Sequence, residues 1–180
     1  MRSIQRTQLA TGILCDAFAA DPVVTWMFPG PVEQRRASAA RVFAPLVEAS
    51  AAAGELAVLD DGAAAVWLPV AAGQDLAAGP EVELPPRLRS LVNALARNHS
   101  TERDHLYLAF VGVAQGKQGR GLGGRLLAER LRRADVPVYL EASSARNVPL
   151  YERHGFRLTG TTITLPDGPV VWPMWREQEN

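Results

Sequence analysis

A single cysteine, Cys15, rules out any intrachain disulfide. It sits between Leu14 and Phe18 in an apolar pattern of helical spacing, which makes it a packing residue rather than a nucleophile. Only three histidines occur, His99, His105 and His154. No pair of them has the spacing of metal ligands, so no metal is expected. Neither sign of charge prevails, since 19 Lys and Arg balance 19 Asp and Glu. No global field then draws the chain to nucleic acid or to an anionic membrane. No run approaches the ~20 apolar residues of a spanning helix, and the first residues lack the apolar core of a secretory signal. A reducing cytoplasm is the economical expectation. Repeats of solenoid period and acidic or basic tails are missing too.

What is present is a globular composition, 47% hydrophobic and 21% charged over 180 residues. That length supports one well-buried core and one domain, 1–180. Apolar spacing predicts helices over 9–20 and 32–53, the second ended by Gly54 and kinked or divided at Pro45. "ELAVLD" and "AAAVWLPV" flank Asp60-Asp61-Gly62, a hairpin signal. Residues 71–86, rich in Gly, Pro and Ala, read as a mobile loop. A helix follows over 87–99, then strand 105–113, helix 119–134, strand 137–143, a short helix 147–155 and strands 156–165 and 168–177. The half from 104 to 176 is dense in order and reads as the chemical half. Residues 1–100 shape what enters.

The strand "HLYLAFVGV" is almost uniformly apolar, as a strand buried on both faces should be. Gly112 near its end suggests a bulge or the close approach of a ligand. Then comes "AQGKQGRGLGGRLLAERLRR", in which Leu122, Leu126, Leu127 and Leu131 form one apolar face. Three glycines at alternate positions, Gly119, Gly121 and Gly123, precede that face. Each costs a helix roughly 1 kcal/mol against alanine, so backbone there must come close to something. The first turn of a helix offers unpaired N–H groups and the positive end of a dipole, which is how helix mouths capture anions. Lys117 and Arg120 add cationic reach. A tight turn would also explain the glycines. The phosphate loop G-x-x-x-x-G-K-[ST] is absent, and a dinucleotide fingerprint would want a parallel unit early in the chain.

"VGVAQGKQGRGLGGRLL" and "YLEASSARNVPLYERHGFRLTG" together resemble the GNAT superfamily of N-acetyltransferases. Gln118 to Gly123 match its Q/R-x-x-G-x-G/A loop, and residues 139–156 resemble its later motif, where Asn and Tyr precede Gly-Phe. The wording is most similar to the branch containing puromycin N-acetyltransferase. Ala114-Gln115 stands where relatives commonly carry a proline. The resemblance implies a mixed α/β (α+β) fold with a central, mostly antiparallel twisted sheet flanked by helices. Two adjacent parallel strands splay apart in its middle, and acetyl-CoA lies in the gap as co-substrate. Backbone at Phe110, Val111 and Val113 would pair with the pantetheine. Gln118, Gly119, Arg120, Gly121, Leu122 and Gly123 would hold the pyrophosphate. Asn147 would bond pantetheine, and Tyr151, on the same helical face, would protonate the departing thiolate.

Transfer of an acetyl group to an amine needs something to take the ammonium proton. Glu141, ending the buried strand "VYLEAS", is the expected base; facing the cleft and partly desolvated, its pKa would rise toward a useful value. A surface pairing with an Arg is the competing account of it. Phe18, Trp26, Met27, Phe28 and Trp67 could wall an acceptor pocket, or equally belong to the core. Asp21 could attract an ammonium or simply cap a helix before Pro22. The expected reaction is acetyl transfer to the amine of a small molecule, with a homodimer allowed. An acyl-CoA-binding sensor or scaffold without activity, and an O-acetyltransferase, are the alternatives.

Overall fold

A computed structural model of the chain describes residues 2–59, 62–74 and 83–178. Asp60 and Asp61 of the expected hairpin turn, and residues 75–82 of the expected mobile loop, lie outside the described residues. Helix α1 (Arg2–Ala17) starts well before the apolar pattern that predicts it. It buries Ala10, Ile13 and Leu14, one helical face. Cys15 packs beside them, with its thiol pKa pushed up by burial. A short helix α2 (Pro22–Met27) follows, capped by Asp21, whose Oδ1 accepts from the amides of Val23 and Val24 at 2.9 and 3.2 Å. Helix α3 (Val32–Ala52) continues through Pro45 as one element, because its buried face of Ala39, Phe43, Val47 and Ser50 is anchored on both sides of the proline.

Strands β1 (Ala57–Leu59) and β2 (Ala63–Val70) pair antiparallel. Helix α4 (Pro86–Asn98) leads to β3 (His105–Val113), which is followed by α5 (Leu122–Leu131) and β4 (Val138–Ala142). A 3-10 turn (Ala145–Asn147) runs into α6 (Val148–Glu152), and the described chain closes with β5 (Arg157–Leu158), β6 (Ile163–Thr164) and β7 (Val170–Arg176). The single strand expected over 156–165 is therefore two short ones. Gly160, at a φ of 87°, turns the chain between them.

The sheet runs β1-β2-β3-β4-β7-β5, with β6 also on β7, and every pairing but one is antiparallel. The mixed α/β architecture with one parallel pair is the one expected. β3 and β4 pair in parallel only at Leu106 with Val138 and Tyr107 with Tyr139. Beyond those positions β3 stays bonded to β2 as far as Val113, and β4 to β7 as far as Ala142. Each strand is thus held on its outer edge while the inner edges part. The result is a fork.

Helices cover both faces. Leu14, Phe43, Val47 and Val66 belong to the core under α1 and α3. Trp67, Leu106, Leu126, Leu127, Leu140 and Met174 belong to the core under α5 and α6. Side chains of this size stabilise a fold by ~1.5–3 kcal/mol each when fully buried. They hold rigid the two strands that diverge between them.

Candidate active site

The loop after β3 is shaped by glycines the backbone requires. Gly116, Gly119 and Gly121 adopt φ of 76°, 77° and 75°, the left-handed region that side chains disfavour. Gly121 is the N-cap of α5, and nothing stands within 4 Å of where a Cβ on Gly119 or Gly121 would lie. The first N–H groups of α5 have no partner within the helix, and Gly121, Leu122, Gly123 and Gly124, which carry the start of it, border open space. Gln118 Nε2 donates to the Val113 carbonyl at 3.3 Å, closing the loop on its strand. The Gln115 amide donates to Asp16 Oδ2 at 2.6 Å, tying the loop to α1.

Gly112 answers to a different neighbour. A Cβ there would stand 2.8 Å from the Ala17 Cβ, so the close approach is that of α1, packed over β3. A ligand is not what removes that side chain.

A cleft of about 970 Å³ opens where the strands part. Val111 and Val113 of β3, Gln118, Gly119, Gly121, Leu122 and Gly123 of the loop and α5, and Asn147 and Tyr151 of the turn and α6 all line it. Of the expected cofactor residues, Phe110 and Arg120 do not reach this wall. The Phe110 ring turns to the helical core, 4.5 Å from Phe43 between centroids, and Arg120 is exposed. Asp21, offered by the sequence as a partner for an ammonium or as a cap, is on the wall, and Ser144, Arg146 and Arg153 join it unforeseen. Open space over a helix mouth, with Arg146 and Arg153 at the rim, suits a long ligand carrying phosphates.

Tyr151 is largely buried, its ring set edge-on to Phe156 at 6.0 Å. Burial, and after it the negative Asp21, push the phenol above its ordinary value. It holds its proton throughout the neutral range. Asp21 is itself pushed up by burial, against the hydroxyl of Ser143 and the α2 amides that stabilise its charge. One carboxylate and one phenol thus meet across the cleft.

Glu141 needs a correction of place. It shares a strand face with Tyr139, two positions beyond the last β3–β4 pair, and is not on the cleft wall. Its side chain is 4% exposed, because Tyr107 and Tyr139, in register across the parallel pair, and His99 at the end of α4 close over it. The Tyr107 hydroxyl donates to Glu141 Oε2 at 2.8 Å. Oε1 and the Tyr139 hydroxyl are buried without a partner in hydrogen-bond geometry. Burial, against the Tyr107 hydrogen bond, raises the Glu141 pKa to about 7. A surface Arg is not its partner.

Of the aromatic candidates on the acceptor side, Phe18 lines the cleft. Trp67 is fully buried under α5, and Trp26 and Met27 are core residues. Among the described residues no group of three or more His, Cys, Asp or Glu side chains could hold a metal ion. No helix among them is long and apolar enough to cross a membrane.

Residues 91–158 match the acetyltransferase (GNAT) domain family. A histone acetyltransferase HPA2 and related acetyltransferase from Corynebacterium glutamicum is 28% identical, with a TM-score of 0.70 over 98% of this chain and 93% of that one. The polyamine N-acetyltransferase of Drosophila melanogaster, 20% identical, shares the fold with a TM-score of 0.71 over 98% and 96%. Mycothiol acetyltransferase from Mycolicibacterium vanbaalenii is 40% identical over 76 residues, 36% of this chain and 25% of the relative. An N-acetyltransferase of Schizosaccharomyces pombe is 40% identical over 53 residues, 28% of this chain and 22% of the relative. The chain thus spans about a quarter of the length of these curated relatives.

Proposed function

The chain belongs to the GNAT superfamily of acetyltransferases, and from that membership we propose that it moves the acetyl group of acetyl-CoA directly to the amine of a small molecule. The observation that carries this reading is the meeting of three features on one cleft: the forked strands, the glycine loop with the N-terminus of α5, and Tyr151. The loop and helix mouth hold the pyrophosphate by backbone N–H groups, with Arg146 and Arg153 adding charge. The unpaired edge of β3 near Val111 and Val113 takes the pantetheine amides as a strand would, and Asn147 adds a side-chain bond. A backbone N–H on that edge faces the developing oxyanion.

Two proton movements remain. The amine loses one before attack, and Glu141, behind the wall at the fork, accepts it through an intervening water. The departing thiolate gains one from Tyr151. A phenol near ~10 is a weaker acid than a thiol near ~8.5, and the burial that keeps Tyr151 protonated weakens it further, so its proton passes to sulfur only as the C–S bond breaks. Asp21 favours a second assignment of the base, because its carboxylate is the one on the cleft wall. Its charge also suits an acceptor that arrives as a cation.

The test is thiol release from acetyl-CoA with agmatine, a polyamine, an arylalkylamine and an aminonucleoside, the last chosen for the likeness of the motif wording to the puromycin branch. With an accepted amine, Tyr151→Phe should lower turnover by roughly 10²–10⁴ and change acetyl-CoA affinity by less than about tenfold. Near-normal turnover, where chemistry limits the rate, would remove Tyr151 from the mechanism. Tight acetyl-CoA binding with no transfer to any amine would favour a sensor. Glu141→Gln and Asp21→Asn, compared for turnover, separate the two bases.

A further inference from the structure

Behind Glu141 lies a chain of hydrogen-bonding groups that has no part in the two proton transfers above. His99, at the C-terminal cap of α4, and His105, the first residue of β3, are both buried and place their Nε2 atoms 2.6 Å apart. His105 Nδ1 stands 2.9 Å from the Arg103 carbonyl oxygen, and His99 Nδ1 stands 3.8 Å from Glu141 Oε1.

The positions of the protons follow from the end of this chain. A carbonyl oxygen only accepts, so His105 Nδ1 carries a hydrogen. Both rings are held neutral, His99 by burial and then by His105, down to about 4, and His105 by burial against its bond to Arg103. A neutral His105 protonated at Nδ1 has a bare Nε2. The 2.6 Å contact then requires His99 to donate from its own Nε2, and that leaves His99 Nδ1 bare. A lone pair faces the Glu141 carboxyl.

We propose that His99 and His105 are positioning residues for Glu141, their mutual hydrogen bond fixing the His99 tautomer so that a bare Nδ1 drives proton uptake by the carboxylate. This rests on Glu141 being the base. Before transfer, a lone pair opposite a carboxylate disfavours the charged form. During transfer an N–H bond of the ammonium breaks and the proton, by way of water, forms an O–H bond at Glu141 Oε1. That O–H then has His99 Nδ1 as its acceptor, and the side chains close the 3.8 Å gap. The imidazoles gain and lose no proton. The pair favours the product of proton transfer over its reactant, the condition for any group to assist a step.

The other groups facing Glu141 leave this role open to the imidazole. Tyr107 of β3 donates to Oε2. Tyr139 of β4 lies close enough to interact with the charge, and both phenols are held protonated by burial and by the carboxylate. β7 brings the Trp175 ring over His105 and Tyr139. Arg103 lies over the outer side of that ring and is paired with Glu177. Arg103 and Asp104 act on His105 with opposite sign.

The test needs no turnover. The Glu141 carboxyl carbon is followed by NMR against pH in the wild-type protein, His105→Phe and His105→Gln. In His105→Phe the His99 Nε2–H loses its acceptor, the ring is free to take the other tautomer, and Nδ1–H bonds the carboxylate. The midpoint should fall by about one pH unit or more, a tenfold change in the proton-binding constant. Glutamine offers a carbonyl to the same Nε2–H and should keep the wild-type midpoint. Imidazole ¹⁵N shifts of the wild-type protein should report His99 unprotonated at Nδ1 and protonated at Nε2 near neutral pH. An unchanged midpoint in folded His105→Phe, or a protonated His99 Nδ1 in the wild type, overturns the proposal; if His105→Phe does not fold, the ¹⁵N result decides. Full turnover by Glu141→Gln would instead remove the base assignment and leave the titration result standing.

Discussion

A carboxyl enclosed as tightly as Glu141 costs the fold whenever it ionises. The unfolded chain releases that proton near pH ~4.3, the folded one near about 7. Between those values the unfolded state has lost a proton the native state keeps, so stability falls as pH rises, and below both values nothing is lost. The cost is about 1 kcal/mol at pH 5 and roughly 3–4 kcal/mol at pH 8. Glu141→Gln removes it while keeping an oxygen for the Tyr107 hydroxyl and placing an N–H donor opposite the bare His99 Nδ1. Urea unfolding should show the variant more stable than the wild type, with a gain at pH 8 exceeding that at pH 5 by roughly 2–3 kcal/mol. The depressed His99 works in the opposite direction, lost as pH falls from ~6.5 toward about 4, and is common to both proteins. Equal gains at the two pH values would mean that Glu141 is not held neutral. The sequence exposes the strand-end carboxylate but not this enclosure, because Tyr107 and His99 come to it through sheet register and through the end of a distant helix. Likewise the histidines have no metal-ligand spacing, and their contact depends on how α4 meets β3.

The glycine loop is legible as an element because its cause is local. Left-handed backbone favours glycine, and an apolar helical face must begin just after it. Helix α2 is not legible in the same way: six residues carry no period, and Asp21 before Pro22 reads as a turn as readily as a cap. Strand 156–165 divides because one glycine at positive φ outweighs a β-rich composition. Within the loop, the two functions of glycine can be separated. Gly121 sits at a φ of 75°, so any side chain there strains the backbone by ~1–2 kcal/mol whatever it does to a ligand. Gly123 is inside α5 with ordinary helical backbone, its Cβ position 3.6 Å from Val113 Cγ2, an ordinary contact. Gly123→Val should therefore melt within a few degrees of the wild type yet bind acetyl-CoA at least tenfold more weakly, as a branched side chain intrudes on the phosphates. Calorimetric titration beside a thermal melt measures both. Unchanged affinity in a folded Gly123→Val protein would take the pyrophosphate away from this helix mouth.

Across the whole molecule, one sheet joins the half that carries the family motifs to the half that does not. β2, from the first half, bonds β3 along its full length, so the strand that opens the fork is held by residues far from any motif. Asp16 of α1 links them again, taking the Gln115 amide on one oxygen and Arg36 of α3 on the other at 2.6 Å. The motifs are readable because their chemistry constrains residue types at fixed spacing. Most of the supporting first half answers to packing, which many sequences satisfy, and Asp21 and His99 reach the chemistry from it without a motif around them. If the halves depend on each other as this pairing implies, heat should unfold them in one transition. A ligand bound in the cleft touches the α1–α2 turn as well as the loop and α6, and so should stabilise both halves together. Acetyl-CoA at about a hundred times its dissociation constant adds ~2.7 kcal/mol, which for a chain of this size raises the midpoint by roughly 5–11 °C. Differential scanning calorimetry, with and without acetyl-CoA, should show a single peak that moves as a whole. Two peaks, of which the ligand moves one, would mean that residues 1–100 and 104–176 fold separately and that the cleft belongs to the second alone.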